Sequence, residues 1–172
     1  LFVSVDKIPP LLRSAFIAAE DKTFYTHGGI DFVGIGRAVL VNLKNIGHGR
    51  RKVGASTITQ QVAKNMLLTS EQSFSRKIKE ILLARKIEKT FTKDHILELY
   101  LNEIFLGVGS YGVASASLSY FDKAMDELTL GEMAFLAALP KGPNNYHPIR
   151  KTAAALERRN WVLDRMYEEG YI

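Results

Sequence analysis

The sequence predicts an all-α protein, and three observations carry that expectation. Apolar residues recur at three- and four-residue spacing along much of the chain. Residues suited to capping a helix stand ahead of several of these runs, with glycine or proline behind. Strand candidates are few: residues 1–5 could form a short strand, and little else does. At 172 residues the chain fits one domain with a sizeable core. Its 47% hydrophobic and 24% charged residues are ordinary for a folded globular chain.

Composition narrows the partners. The formal net charge is +5 and the pI about 9.4, which suits polyanions or anionic lipid. There is no cysteine, so disulfides and thiolate zinc sites are excluded. No apolar run reaches the ~20 residues that span a bilayer, and no signal peptide is visible. The chain starts at Leu1 without Met and reads as an excised segment.

In chain order, Pro9-Pro10 introduces a helix over residues 11–19. It ends on two adjacent carboxylates, Glu20 and Asp21, where the helix dipole favours cations and acids lose roughly 0.3–1 kcal/mol. Surface polarity is a sufficient account of that pair taken alone. A carboxylate beside an apolar helix and a negative dipole end should also resist ionising, which suits a general base. Residues 32–43 are apolar around most of a helix, and two readings stay open for them. One is a buried core helix. The other is an interfacial segment, because Lys44, His48, Arg50, Arg51 and Lys52 follow at once.

Next, Ser56 or Thr57 can cap a helix through residue 66. Ile58, Val62 and Met66 are expected to face the core, with Thr57, Gln61 and Lys64 on the other face. Residues from 74 form a further helix with a predicted core stripe of Phe74, Ile78, Ile81 and Leu82. In it Arg76 and Glu80 are i,i+4 neighbours in the poorer order for an ion pair. A helix over 93–106 follows, stopped by Gly107, and its Glu98 and Asn102 should bond to each other or to backbone. Gly107-Val108-Gly109-Ser110-Tyr111-Gly112 spells a dinucleotide fingerprint, but a helix precedes it where a strand is required. A tight bend and a close approach by a small-residue helix over 113–119 explain it better. Helices over 128–139 and 151–169 flank a turn-rich loop at 143–148.

Glu20-Asp21-x-x-Phe24-x-x-His27-x-Gly29-x-Asp31 resembles the first signature of the peptidoglycan glycosyltransferases. Gly54 to Met66 resembles the second and Arg76-Lys77-x-x-Glu80 the third. Residues 96–102 resemble the fourth and 143–148 the fifth, all in the expected order over nearly the whole chain. The resemblance implies a lysozyme-like all-α fold: a larger globular lobe, a small membrane-associated lobe near residues 32–53, and a cleft between them. It implies Glu20 and Glu80 as the catalytic carboxylates, with Asp21, Phe24, His27, Thr57, Gln61, Lys64, Arg76 and Lys77 binding substrate. Residues 157–166 look more like the bifunctional class A penicillin-binding proteins than the monofunctional enzymes.

The implied reaction is elongation of glycan strands from lipid II. The acceptor sugar's 4-hydroxyl attacks the anomeric carbon of the growing chain, inverting it and releasing lipid pyrophosphate. A sugar hydroxyl needs a base, for which Glu20 is the candidate. Pyrophosphate needs positive charge where negative charge develops, which Lys64, Arg76, Lys77 and Lys79 could supply. Mg²⁺ or Mn²⁺ could assist, held largely by pyrophosphate and one or two carboxylates, and no organic cofactor is expected. The implied partners are lipid II, the glycan strand, the membrane surface, moenomycin-type inhibitors and other cell-wall synthesis proteins. The implied location is the outer face of the bacterial cytoplasmic membrane, with the anchor outside this segment. Two alternatives compete. A lysozyme-like hydrolase would want an acid for the leaving alkoxide, and gives no reason to gather cations at Glu80. A non-catalytic basic module for membrane or nucleic acid explains the pI but neither Glu20-Asp21 nor Gln61; its basic stripe should lack the embedded glutamates seen here.

Overall fold

The structure, a computed structural model, describes residues 2–49, 54–67 and 73–172. Among these the regular structure is helical, apart from a single antiparallel bridge between Phe105 and Tyr111. The all-α expectation therefore holds. Arg50, Arg51 and Lys52 lie outside the described residues. The chain divides into two compact units, Leu1–Lys22 with Asp94–Ile172, and Thr23–Lys93. Positions 32–53, where the sequence suggests a small lobe, belong by number to the Thr23–Lys93 unit.

In the first unit, α1 (Pro10–Glu20) starts on a proline, whose fixed φ suits a first helical turn. Leu12, Ala15, Phe16, Ile17 and Ala18 are buried on it. A fully buried Leu or Phe contributes about 1.5–3 kcal/mol of transfer free energy. Their partners are α7 (Leu130–Ala138), buried along most of its length, and α8 (Thr152–Glu168).

The expected strand at residues 1–5 does not form. Residues 5–7 make a 3-10 turn, and the segment before it pairs with one side chain instead of a strand. Asn102, on α5 (Lys93–Glu103), accepts from the Val3 amide at 2.7 Å and donates to the Val3 carbonyl at 2.8 Å. Its amide also donates to the Glu98 carbonyl, while a Glu98 carboxylate oxygen accepts from the Val5 amide at 2.9 Å. Glu98 and Asn102 thus both satisfy backbone groups, as part-buried polar atoms must. α5 ends three residues earlier than its pattern suggests, and the glycine turn after it leads into α6 (Val113–Phe121). At Gly112, φ is +85° and a Cβ would lie 2.5 Å from the Asn102 carbonyl oxygen, so only glycine fits.

The second unit contains α2 (Phe32–Lys44), α3 (Ile58–Met66) and α4 (Phe74–Thr90), with α3 packed on α4. Two corrections arise here. Met66 is exposed, although it continues the buried Ile58–Val62 stripe at the last turn of α3. On α4 the predicted core stripe is turned outward: Phe74, Ile78 and Leu82 are exposed, Phe74 at 83%. Glu80, Ala84 and Ile87 are buried in their place.

The open question at residues 32–43 is also resolved. Ala38 is the only buried residue described on α2, while Phe32, Val33, Val39, Leu40 and Leu43 are exposed. The core-helix reading is excluded. No helix among the described residues is long and apolar enough to cross a membrane.

Candidate active site

Glu20 is the last residue of α1 and Asp21 its C-cap, so the acidic pair occupies the helix end that favours cations. Asp21 is buried. Phe16, one turn before Glu20, meets Tyr100 edge-on with ring centroids 6.2 Å apart. Burial pushes the Tyr100 phenol well above its ordinary value, and the charges of Glu20 and Asp21 push it further. This hydroxyl therefore stays protonated within the field of both carboxylates, and it has no hydrogen-bond partner among the described residues.

Opposite charge reaches the same place from α8. Burial pushes the Arg158 guanidinium down, and Glu20 and then Tyr146 oppose that shift. Arg158 lies 3.8 Å above the Trp161 ring, a cation–π contact that fixes its plane. The sequence reading missed both Tyr100 and Arg158. Tyr100 sits in a run that reads as core, and nothing in residues 157–166 marks which arginine turns toward Glu20.

In the second unit, Glu80 is 2% exposed. Its nearer cation is Lys77, at 2.9 Å, with Arg76 at 4.0 Å. The i,i+3 neighbour is thus the closer partner, where the sequence reading paired Arg76 first. Lys77 also reaches Ser56 Oγ at 3.2 Å, so one ammonium joins α4 to the segment before α3. A buried carboxylate with two cations on one helix face is an arrangement that can hold an anionic oxygen cluster.

Thr57, not Ser56, caps α3. It forms a reciprocal capping box with Gln60, and its hydroxyl donates to the Gly29 carbonyl at 2.7 Å. Thr57 is buried, with its hydroxyl already engaged by protein. Gln61 is half-buried and Lys64 exposed on the same helix. Phe24 is fully buried, with Lys93 Nζ 4.9 Å from its ring centroid. His27 accepts from the Gly29 amide through Nδ1 at 2.9 Å. The structure therefore gathers Arg76, Lys77 and Glu80 into one cluster and Phe24 and His27 into another. Among the described residues no group of three or more His, Asp or Glu converges to hold a metal ion.

The transglycosylase family model matches residues 1–167, and this chain belongs to that family. It is 55% identical over its full length to penicillin-binding protein 1A of Rickettsia bellii, and covers 22% of that protein. It is 56% identical over 99% of its length to penicillin-binding protein 1A of Aquifex aeolicus, covering 23% of it. The chain thus spans less than a quarter of the length of these relatives. The crystal structure of penicillin-binding protein 1A from Haemophilus influenzae matches the whole chain with a TM-score of 0.56 and 31% identity, over 16% of its own chain.

Proposed function

We propose that this chain polymerises peptidoglycan glycan strands from lipid II, transferring the growing lipid-linked chain to the 4-hydroxyl of an acceptor sugar with inversion. The observation that carries the reading is Glu80, buried with Lys77 and Arg76 beside it, in a member of the transglycosylase family. A hydrolase must protonate an alkoxide, and a cation-flanked carboxylate does nothing for that. A pyrophosphate leaves as an anion, and cations stabilise it as its charge develops.

In this reading Glu20 takes the acceptor proton while Arg76, Lys77 and Lys64 receive the pyrophosphate. Gln61 orients the donor. Any Mg²⁺ or Mn²⁺ would be held mainly by pyrophosphate oxygens, with one or two carboxylates such as Glu80 completing its shell. Labelled lipid II in detergent should be converted to a glycan ladder that lysozyme digests and penicillin leaves unaffected. If lipid II stays intact while preformed glycan is cleaved, the hydrolase reading replaces this one.

The same reading places the protein at the outer face of a bacterial cytoplasmic membrane, where its lipid-linked substrate resides. The exposed apolar residues of α2, and Phe74, Ile78 and Leu82 on α4, would meet the lipid surface. Substituting Val39 and Leu40 together by Asp should weaken binding to anionic liposomes and leave the helical CD spectrum largely intact. Both residues are more than half exposed, at 52% and 61%, so loss of fold would contradict the interfacial role.

A further inference from the structure

The loop after Glu20-Asp21 is fastened to α3 and α4 through two charged residues that the site described above does not use. Lys93 Nζ donates to the His27 carbonyl at 2.6 Å and to Glu88 Oε1 at 2.7 Å. The same Glu88 oxygen accepts from the Thr59 hydroxyl at 2.7 Å. His27 Nδ1 accepts the Gly29 N–H, which assigns its ring proton to Nε2 in the neutral form. Gly29 has φ of +106°, and a Cβ there would sit 3.2 Å from the Ala84 carbonyl oxygen, so the loop lies close against α4. Its carbonyl is taken by Thr57.

We propose that Lys93 and Glu88 are positioning residues for the transfer reaction, and that Phe24 and His27 act with them rather than by binding substrate. The proposal rests on the polymerase reading of the site. Glu80, Ala84 and Glu88 recur every four residues on one face of α4. The two carboxylates divide the work: Glu80 keeps company with cations of the donor site, while Glu88 is spent on Thr59 and Lys93. Both side chains of the His27–Glu88 pair are nearly buried, at 6% and 10% exposed, so the bonds they make are costly to lose. The chain passes between the units at Lys22–Thr23 and again at Lys93–Asp94. Within the second unit, Lys93 thus pins the start of the chain segment at His27 to its end.

The test compares Lys93→Met, Lys93→Arg and Thr59→Val in the purified protein with labelled lipid II. Misplacing a catalytic element by an ångström can cost ~100-fold, so Lys93→Met should lower kcat about tenfold or more while KM moves less than about threefold. Lys93→Arg, which keeps the charge and donors, should recover most of the loss. Thr59→Val deletes one hydrogen bond and should cost roughly threefold in kcat. Hydrogen exchange should rise at the Thr26, His27 and Gly29 amides in Lys93→Met and stay unchanged in α7. Wild-type kcat and unchanged loop protection in Lys93→Met would overturn the proposal. If that variant does not fold, Thr59→Val decides it, and wild-type kcat there overturns it equally. Should the parent protein make no glycan, the polymerase reading fails, and the exchange measurements still judge the network.

Discussion

Glu20→Gln should lose nearly all turnover and keep its affinity for lipid substrate or a phosphoglycolipid inhibitor such as moenomycin. The substitution preserves size and hydrogen bonding and removes only the capacity to take a proton. General-base contributions are typically ~10²–10⁴-fold, and the loss should fall in that range. The surroundings of Glu20 sharpen the expectation. Tyr100 remains protonated in the variant, because burial is the larger cause of its raised pKa. Arg158 loses the larger of the interactions that oppose its desolvation, yet its stack on Trp161 stays. The fold around α1 should therefore survive, and unchanged thermal unfolding would show it. Titration of the inhibitor against the variant separates chemistry from binding. Abolished binding would assign Glu20 to substrate recognition instead of proton transfer.

Much of the first unit was legible in the sequence because local rules and burial agree there. A proline-initiated apolar run became α1, and Glu98 and Asn102 found backbone partners as part-buried polar residues must. In the second unit, the cap of α3 was legible as Ser56 or Thr57, and Thr57 takes it. What was not legible depends on distant partners or on the solvent. Val3 and Asn102 are 99 positions apart, and no periodicity announces that an amide side chain will stand in for a strand. The Lys93–Glu88–His27 cluster likewise depends on a contact between residues 66 positions apart. On α4 the pattern was read correctly but oriented wrongly. Phe74, Ile78 and Leu82 do form a stripe, and periodicity cannot say whether a stripe faces protein or something outside it. The helix buries Glu80 with Arg76 and the part-exposed Lys77 of the same helix beside its charge.

That arrangement makes Glu80→Gln a different experiment from Glu20→Gln. Here both donor or inhibitor affinity and turnover should fall together. Glu80 is buried and holds Lys77 at 2.9 Å, so neutralising it releases the ammonium that also bonds Ser56. Removing one partner of a buried ion pair typically costs ~3–5 kcal/mol. The cost should be smaller here, since the Lys77 side chain is 43% exposed and can turn to water. The variant should therefore fold. Arg76 is more constrained, with its side chain 11% exposed and its Nε without a hydrogen-bond partner among the described residues. With Glu80 neutral, both cations lose the anion that orders them, and the pyrophosphate meets charges without fixed geometry. Charge-assisted hydrogen bonds contribute roughly 1.5–3 kcal/mol each, so loss of one aligned pair should weaken inhibitor binding by about 10- to 100-fold. Calorimetric titration of the inhibitor against Glu20→Gln and Glu80→Gln side by side is the decisive comparison. Normal binding by a catalytically dead Glu80→Gln, with binding lost in Glu20→Gln, would reverse the two roles.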